Sequence, residues 1–228
     1  MKKRVFYTEA AYVLGLLIMA FGNSLLAWAD FGVSMVVAPA YIVHLKLSEF
    51  SSFFTFGVCE YILQSIVLLL MIICMKKFKF SYLFSFVTAV LYGLVLDGFS
   101  FFVRRIPFYT LYLRIPLFII GMCLISCGVA LFFRTYISVQ SYDYFVKEVH
   151  TKTKMSLSNF KSIYDAASLI ISIILSFVFF GLFKFRGIGI GTVACTLLNG
   201  RIIGLVGRFL DKNFDFKDRF KLRKYFER

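Results

Sequence analysis

Three carboxylates stand inside long apolar runs of this chain: Glu60, Asp97 and Asp165. An ionisable side chain within a membrane span costs about 2.5–3.5 kcal/mol on insertion scales, which makes each a functional candidate by default. Glu60 and Asp165 could bind a cation or carry a proton. Either could instead pair with Arg201 or cap a neighbouring backbone. Asp97, followed by Gly98, fits a pathway group or a helix-end group facing Arg104 or Arg105. Asn23 and Asn199 adjoin Gly22 and Gly200, where backbones approach closely, and fit either the pathway or hydrogen bonding between helices; Gln64 fits the latter. The candidate substrate or ion pathway is therefore Glu60, Asp165, Asp97, Asn23 and Asn199.

Other chemistries lack their residues. There is no Ser/His/Asp set, no HExxH and no Cys/His cluster with metal spacing, so no enzyme activity, metal or cofactor is expected. Cys59, Cys74, Cys123, Cys127 and Cys195 all fall in apolar runs and read as packing residues. The GxGxG at 187–191 follows no strand and carries no P-loop lysine, so it is not a nucleotide loop. Gly200 and Gly204 form a GxxxG, which suits helix packing and can also join two copies as a homodimer. His44 and His150 each sit in a long link and could sense pH, but not share a metal.

The elements that must carry these residues follow from composition. Apolar residues make up 60% of 228 positions and mean hydropathy is +0.83, too much for one soluble core to hide. The excess faces a lipid bilayer. Six stretches are long enough to span it, at 5–29, 51–75, 81–103, 110–133, 160–183 and 188–208. The net charge of +14 reflects topology rather than nucleic acid, because the basic residues lie between and beyond the spans. Nineteen fall on the side of the termini and six on the other, which puts both termini in the cytoplasm. The basic tail, 211–228, reads as an amphipathic interfacial helix or a solvated anchor.

The two halves of the chain resemble each other. Shifted by 105, Phe78, Lys79 and Phe80 fall on Phe183, Lys184 and Phe185, Ser51 on Ser156, and Glu60 on Asp165. Shifted by 106, Gly15 meets Gly121 and Gly22 meets Gly128; Ser34 meets Ser138 at 104. Residues 1–105 and 106–210 thus read as two three-span repeats. Three is odd, so the second must enter from the opposite side, giving inverted topology. The long links near 30–50 and 134–159 would each hold a short re-entrant or interfacial helix, with Pro39 in the first turn of one.

The segments GVSMVVAPAYIV (32–43), TFGVCEYILQ (55–64), IYDAASLI (163–170) and GIGIGTVACTLLNGRIIG (187–204) resemble the YczE/YyaS/YitT group of bacterial integral membrane proteins. That resemblance covers nearly the whole chain and implies a multi-pass membrane protein without an assigned substrate. Arg201 stands where it would place proline or a small residue. The resulting expectation is an all-α bundle of six spans that moves a small molecule or ion by rocking one repeat against the other. The alternative is an accessory or scaffold subunit that docks through the same bundle and tail.

Overall fold

The computed structural model describes residues 3–76, 80–105, 110–153, 157–181, 186–220 and 223. A short strand, β1 (Arg4–Tyr7), leads into α1 (Thr8–Ala29), followed by α2 (Ala38–Leu47), α3 (Phe56–Met75), α4 (Phe80–Val103) and α5 (Leu111–Phe132). Then come α6 (Ser141–Thr153), α7 (Leu157–Phe180), α8 (Ile190–Asn213) and a second strand, β2 (Phe214–Lys217). Six of these helices, all but α2 and α6, are long and apolar enough to cross a membrane. The chain is a multi-pass membrane protein. The matched Phe-Lys-Phe links at 78–80 and 183–185 lie almost wholly outside the described residues, as does the side chain of His150.

The contacts sort the links to two ends of the bundle. At one end β1 pairs with β2, Phe6 opposite Phe216. There the Glu9 carboxylate accepts from the backbone N–H groups of Arg219 and Phe220 and from the Tyr136 hydroxyl, at 2.8–3.1 Å. Both termini and the link after α5 therefore share one end. At the other end Arg104 donates to His44 (3.1 Å), Arg114 donates to the Ala29 carbonyl (2.7 Å), and Arg186 approaches Glu49 (3.9 Å). This is the alternation that six spans impose. The start of the tail is a strand, not the amphipathic helix or free anchor its basic residues suggested. Phe214 and Phe216 both turn onto Phe6, with ring centroids 5.5 and 5.6 Å away, so the FDFK pattern has period two rather than 3.6.

The core lies where α1 and α5 cross. Of the apolar window in each, 56% is buried, against 17% for α7 and 22% for α8. The crossing is close because glycines face each other. A Cβ on Gly15 would stand 3.0 Å from the Gly128 carbonyl oxygen, and one on Gly22 would stand 2.8 Å from that of Gly121. Small residues at such a crossing let backbones pack without a hydrophobic drive, which lipid does not supply. A second glycine contact, Gly57 against Gly93, joins α3 to α4. Among the described residues α7 packs mainly on α2 and α6, and α8 on α5.

The links are built to approach these helices. Gly32 (φ +100°) lies under the start of α8, where a Cβ would collide with Thr192 Oγ1. There Val33 N–H donates to the Gly187 carbonyl (3.2 Å) and Gly191 N–H to that of Phe31 (2.8 Å). The GxGxG block thus serves close backbone packing. Pro39 does sit in the first turn of α2.

Replacing Gly22 by Ala puts a methyl group 2.8 Å from Ile125 Cγ1 and from the Gly121 oxygen, and should cost about 1–3 kcal/mol. Gly98→Ala, where a Cβ meets nothing within 4 Å, should be neutral or stabilising by up to about 1 kcal/mol. Thermal unfolding of both in detergent checks this; equal losses would remove the crossing from its place as the core.

Candidate functional site

A cavity of about 230 Å³ lies beside the α1–α5 crossing. Its wall combines Asn23 of α1, residues 34–37 ahead of α2, Gln140, Tyr142 and Asp143 at the start of α6, Asp165 of α7, and Thr196, Asn199 and Gly200 of α8. Both long links therefore reach the same space, each at the N-terminus of its short helix. Three of the five pathway candidates, Asn23, Asp165 and Asn199, line it together although they are separated by up to 176 positions in the chain.

Polar contacts fix these side chains. Asn23 donates through Nδ2 to the Tyr92 hydroxyl (2.7 Å) and the Met19 carbonyl (3.2 Å), which leaves Oδ1 buried with no hydrogen-bond partner. Asn199 Oδ1 accepts from the Ser126 hydroxyl (3.2 Å). The link before α6 is anchored by Thr88, which donates to the Ser138 carbonyl (3.0 Å), and by Ser85, which donates to that of Val139 (2.8 Å). Its buried backbone is thus satisfied by side chains of α4, as irregular chain inside a membrane protein requires.

Glu60 and Asp97 are placed elsewhere. The helix expected from residue 51 begins at Phe56, because residues 51–55 form turns, so Glu60 lies one turn into α3 and not at its middle. Glu60 is fully buried and is not in the cavity wall. It is one layer behind: Gln64 donates to Glu60 Oε1 (3.3 Å) and accepts from the Ser141 N–H that opens α6 (3.2 Å). Asp97 faces neither arginine expected of it. It accepts from the Thr55 hydroxyl (2.5 Å) and the Gly57 N–H (2.7 Å), capping α3 from α4. Arg105 instead stacks over Phe101.

Gly200 borders the cavity, but a Cβ on it or on Gly204 would meet no atom within 4 Å, so among the described residues the GxxxG packs no other helix. Arg201 is exposed and is not part of the cavity wall. Sequence reasoning expected a short re-entrant or interfacial helix in the link from 134 to 159 but did not single out Gln140, Tyr142 and Asp143. The available signal was the match of Ser138 to Ser34, which marks the corresponding stretch of the first link. Among the described residues no cluster of His, Cys, Asp and Glu is arranged to hold a metal ion.

The chain belongs to the family of unknown function DUF6198, whose model it matches over residues 6–208. No curated protein and no solved structure matches it.

His44, in α2, provides a pH test of the end of the bundle opposite the termini. Its Nδ1 lies 2.7 Å from the Phe54 carbonyl and must carry the proton, while Nε2 accepts from Arg104. Burial, and after it the Arg104 guanidinium, holds His44 below its ordinary value of 6.5, against the opposing Phe54 carbonyl and Asp97. The unfolded chain then binds the extra proton first, so stability falls as pH drops below that ordinary value. Melting in detergent should drop between about pH 7 and 5 in the native chain. In His44→Gln that part of the slope should vanish; an unchanged slope would remove His44 as its source.

Proposed function

We propose that this protein is a transporter of a small molecule or ion, in which two inverted three-span units move against each other around the cavity. The observation that carries this reading is the cavity itself: a space beside the crossing of the two most buried spans, with polar groups set in a largely apolar wall and both long links reaching it. In bilayer proteins, irregular backbone at depth is tolerated where it is buried in protein or borders a wet space. Transporters built from inverted repeats place their sites between the repeats in this way.

The pattern of glycine contacts supports the inverted relation. The sequence matches Gly15 with Gly121 and Gly22 with Gly128, whereas the contacts join Gly15 to Gly128 and Gly22 to Gly121. A two-fold axis through the crossing produces that exchange of partners. The same exchange recurs further out, where α3 packs on α6 while α7 packs on α2; within the halves, α1 packs on α4 as α5 packs on α8. On this reading α2 and α6 are re-entrant half-helices whose N-termini meet at the site. Glu60, tied through Gln64 to the start of α6, would link a proton or charge at α3 to movement of that half-helix.

The docking-subunit alternative leans on a free basic tail. That support weakens once β2 and the residues after it are bound to β1 and Glu9. The 19-to-6 basic asymmetry supports, by the positive-inside rule, an orientation with both termini at the cytoplasmic face of a bacterial inner membrane.

Access to the cavity tests the proposal without knowledge of the substrate. In a cysteine-free background, Ser34→Cys and Thr196→Cys should each react with a membrane-impermeant maleimide from both faces of sealed vesicles, as alternation between two states requires. Labelling from one face alone, in both orientations of the vesicle, would sink the transport reading. Phe50→Cys and Glu148→Cys should label from opposite faces; labelling from the same face would sink the inverted arrangement.

A further inference from the structure

We propose that the cavity binds a small organic cation, an ammonium-bearing solute that also carries an oxygen acceptor. The inference rests on the reading of this cavity as the transport site and adds the class of its occupant. In a chain of net charge +14, the described part of the cavity wall holds two carboxyl groups, Asp143 and Asp165, and no Lys, Arg or His. Such a wall favours a cation and repels an anion.

Two amides give the second observation. Asn23 is 2% exposed and Gln140 3%, yet Asn23 Oδ1 and Gln140 Nε2 have no hydrogen-bond partner among the described residues. A buried polar atom left unpaired costs about 1–3 kcal/mol, and both residues border the cavity. The two bonds from Asn23 Nδ2 fix that amide, so its free oxygen is an acceptor held in place for an N–H donor. Gln140 Nε2 offers the complementary donor. An ammonium group beside Asn23 and the carboxylates, with a hydroxyl or carbonyl oxygen toward Gln140, satisfies both at once.

Two other occupants fit less well. A bare metal ion needs converging ligands, and the described residues hold no such cluster. The volume of about 230 Å³ corresponds to roughly eight waters' share of the liquid, enough for a solute of several heavy atoms. An anion would need free N–H groups at the two helix N-termini. Several of those N–H groups already have partners: the Ser34 carbonyl accepts from Val37 and Ala38 (3.1 and 2.9 Å), and Gln64 accepts from Ser141 (3.2 Å), while the Asp143 carboxylate in the first turn of α6 disfavours an anion there.

The experiment is thermal unfolding of the full-length protein in detergent at constant ionic strength, with ethanolamine, n-propylammonium, ethylene glycol and acetate as probes. Ethanolamine should raise the melting temperature saturably, and n-propylammonium should do so with weaker affinity. Ethylene glycol and acetate should have no effect. Asp143→Asn and Asp165→Asn should each weaken ethanolamine binding about tenfold or more, as loss of a charged hydrogen-bond partner does. Asn23→Ser should weaken it too, which keeps the test open if an aspartate variant fails to fold. Equal shifts from ethylene glycol or acetate would overturn the proposal, as would a full shift from sodium alone or undiminished binding in the folded variants. Cysteine access separates the two claims. Two-sided labelling with no ammonium selectivity sinks only the substrate class, and ammonium binding with one-sided labelling sinks only transport.

Discussion

Everything in this bundle depends on how closely α1 and α5 approach. Lipid gives helices no hydrophobic reason to associate, so the attraction must come from dispersion and hydrogen bonding over short distances. Four glycines permit that distance, with the carbonyls of Gly121 and Gly128 lying where side chains on Gly22 and Gly15 would be. A crossing this tight draws α4 and α8 in against the two central helices, since α4 packs on α1 and α8 on α5. The polar groups then fall at the edges of the crossing: Asn23 against Tyr92 on one side and Ser126 against Asn199 on the other.

That geometry also allows two links to fold inward. Exposed peptide groups cannot be left unpaired in hydrocarbon, so each inward link needs partners supplied by the helices it touches. The first receives them from the glycine-rich start of α8, backbone to backbone. The second receives them from hydroxyls of α4 and the amide of Gln64. One glycine-rich stretch and one run of serines and threonines thus solve the same problem by different means. A sequence match between the halves could hardly reveal that, because the residues doing the same job are not alike.

The six spans were legible because length and apolarity alone define them, and basic residues placed both termini together, as the β1–β2 pair also does. The glycine matches at 15, 22, 121 and 128 were legible as part of a repeat but not as a helix crossing, and they could not tell which glycine would meet which. Asp97 was misread because its partners, Thr55 and Gly57, are 40 or more positions away and neither is charged. The Gly200–Gly204 motif was legible as a small-residue pair but not as an outward-facing one, since a motif carries no information on which face of a helix meets a neighbour. Glu60 was found as a buried acid, and its distance from the cavity wall depends on the first link ending in turns, which its apolar residues concealed.

On the proposed repeat, the two halves differ most at α3 and α7. Gly57 and Gly93 bring α3 against α4, and Asp97 bonds the start of α3 to the body of α4. Those contacts hold α3 and α4 as one piece. On the other side α7 reaches the bundle mainly through the short helices α2 and α6, and both α7 and α8 are largely exposed. Asp165 therefore stands on the less constrained wall of the cavity, and Asn23 on the most constrained. If the proposed repeats move against each other, Asn23 in the first and Asp165 in the second belong to the two walls that approach or part. A ligand that bridges Asn23 and Asp165 would then favour the closed arrangement in proportion to its preference for both walls over one, which is the only free energy a ligand can contribute to such a change.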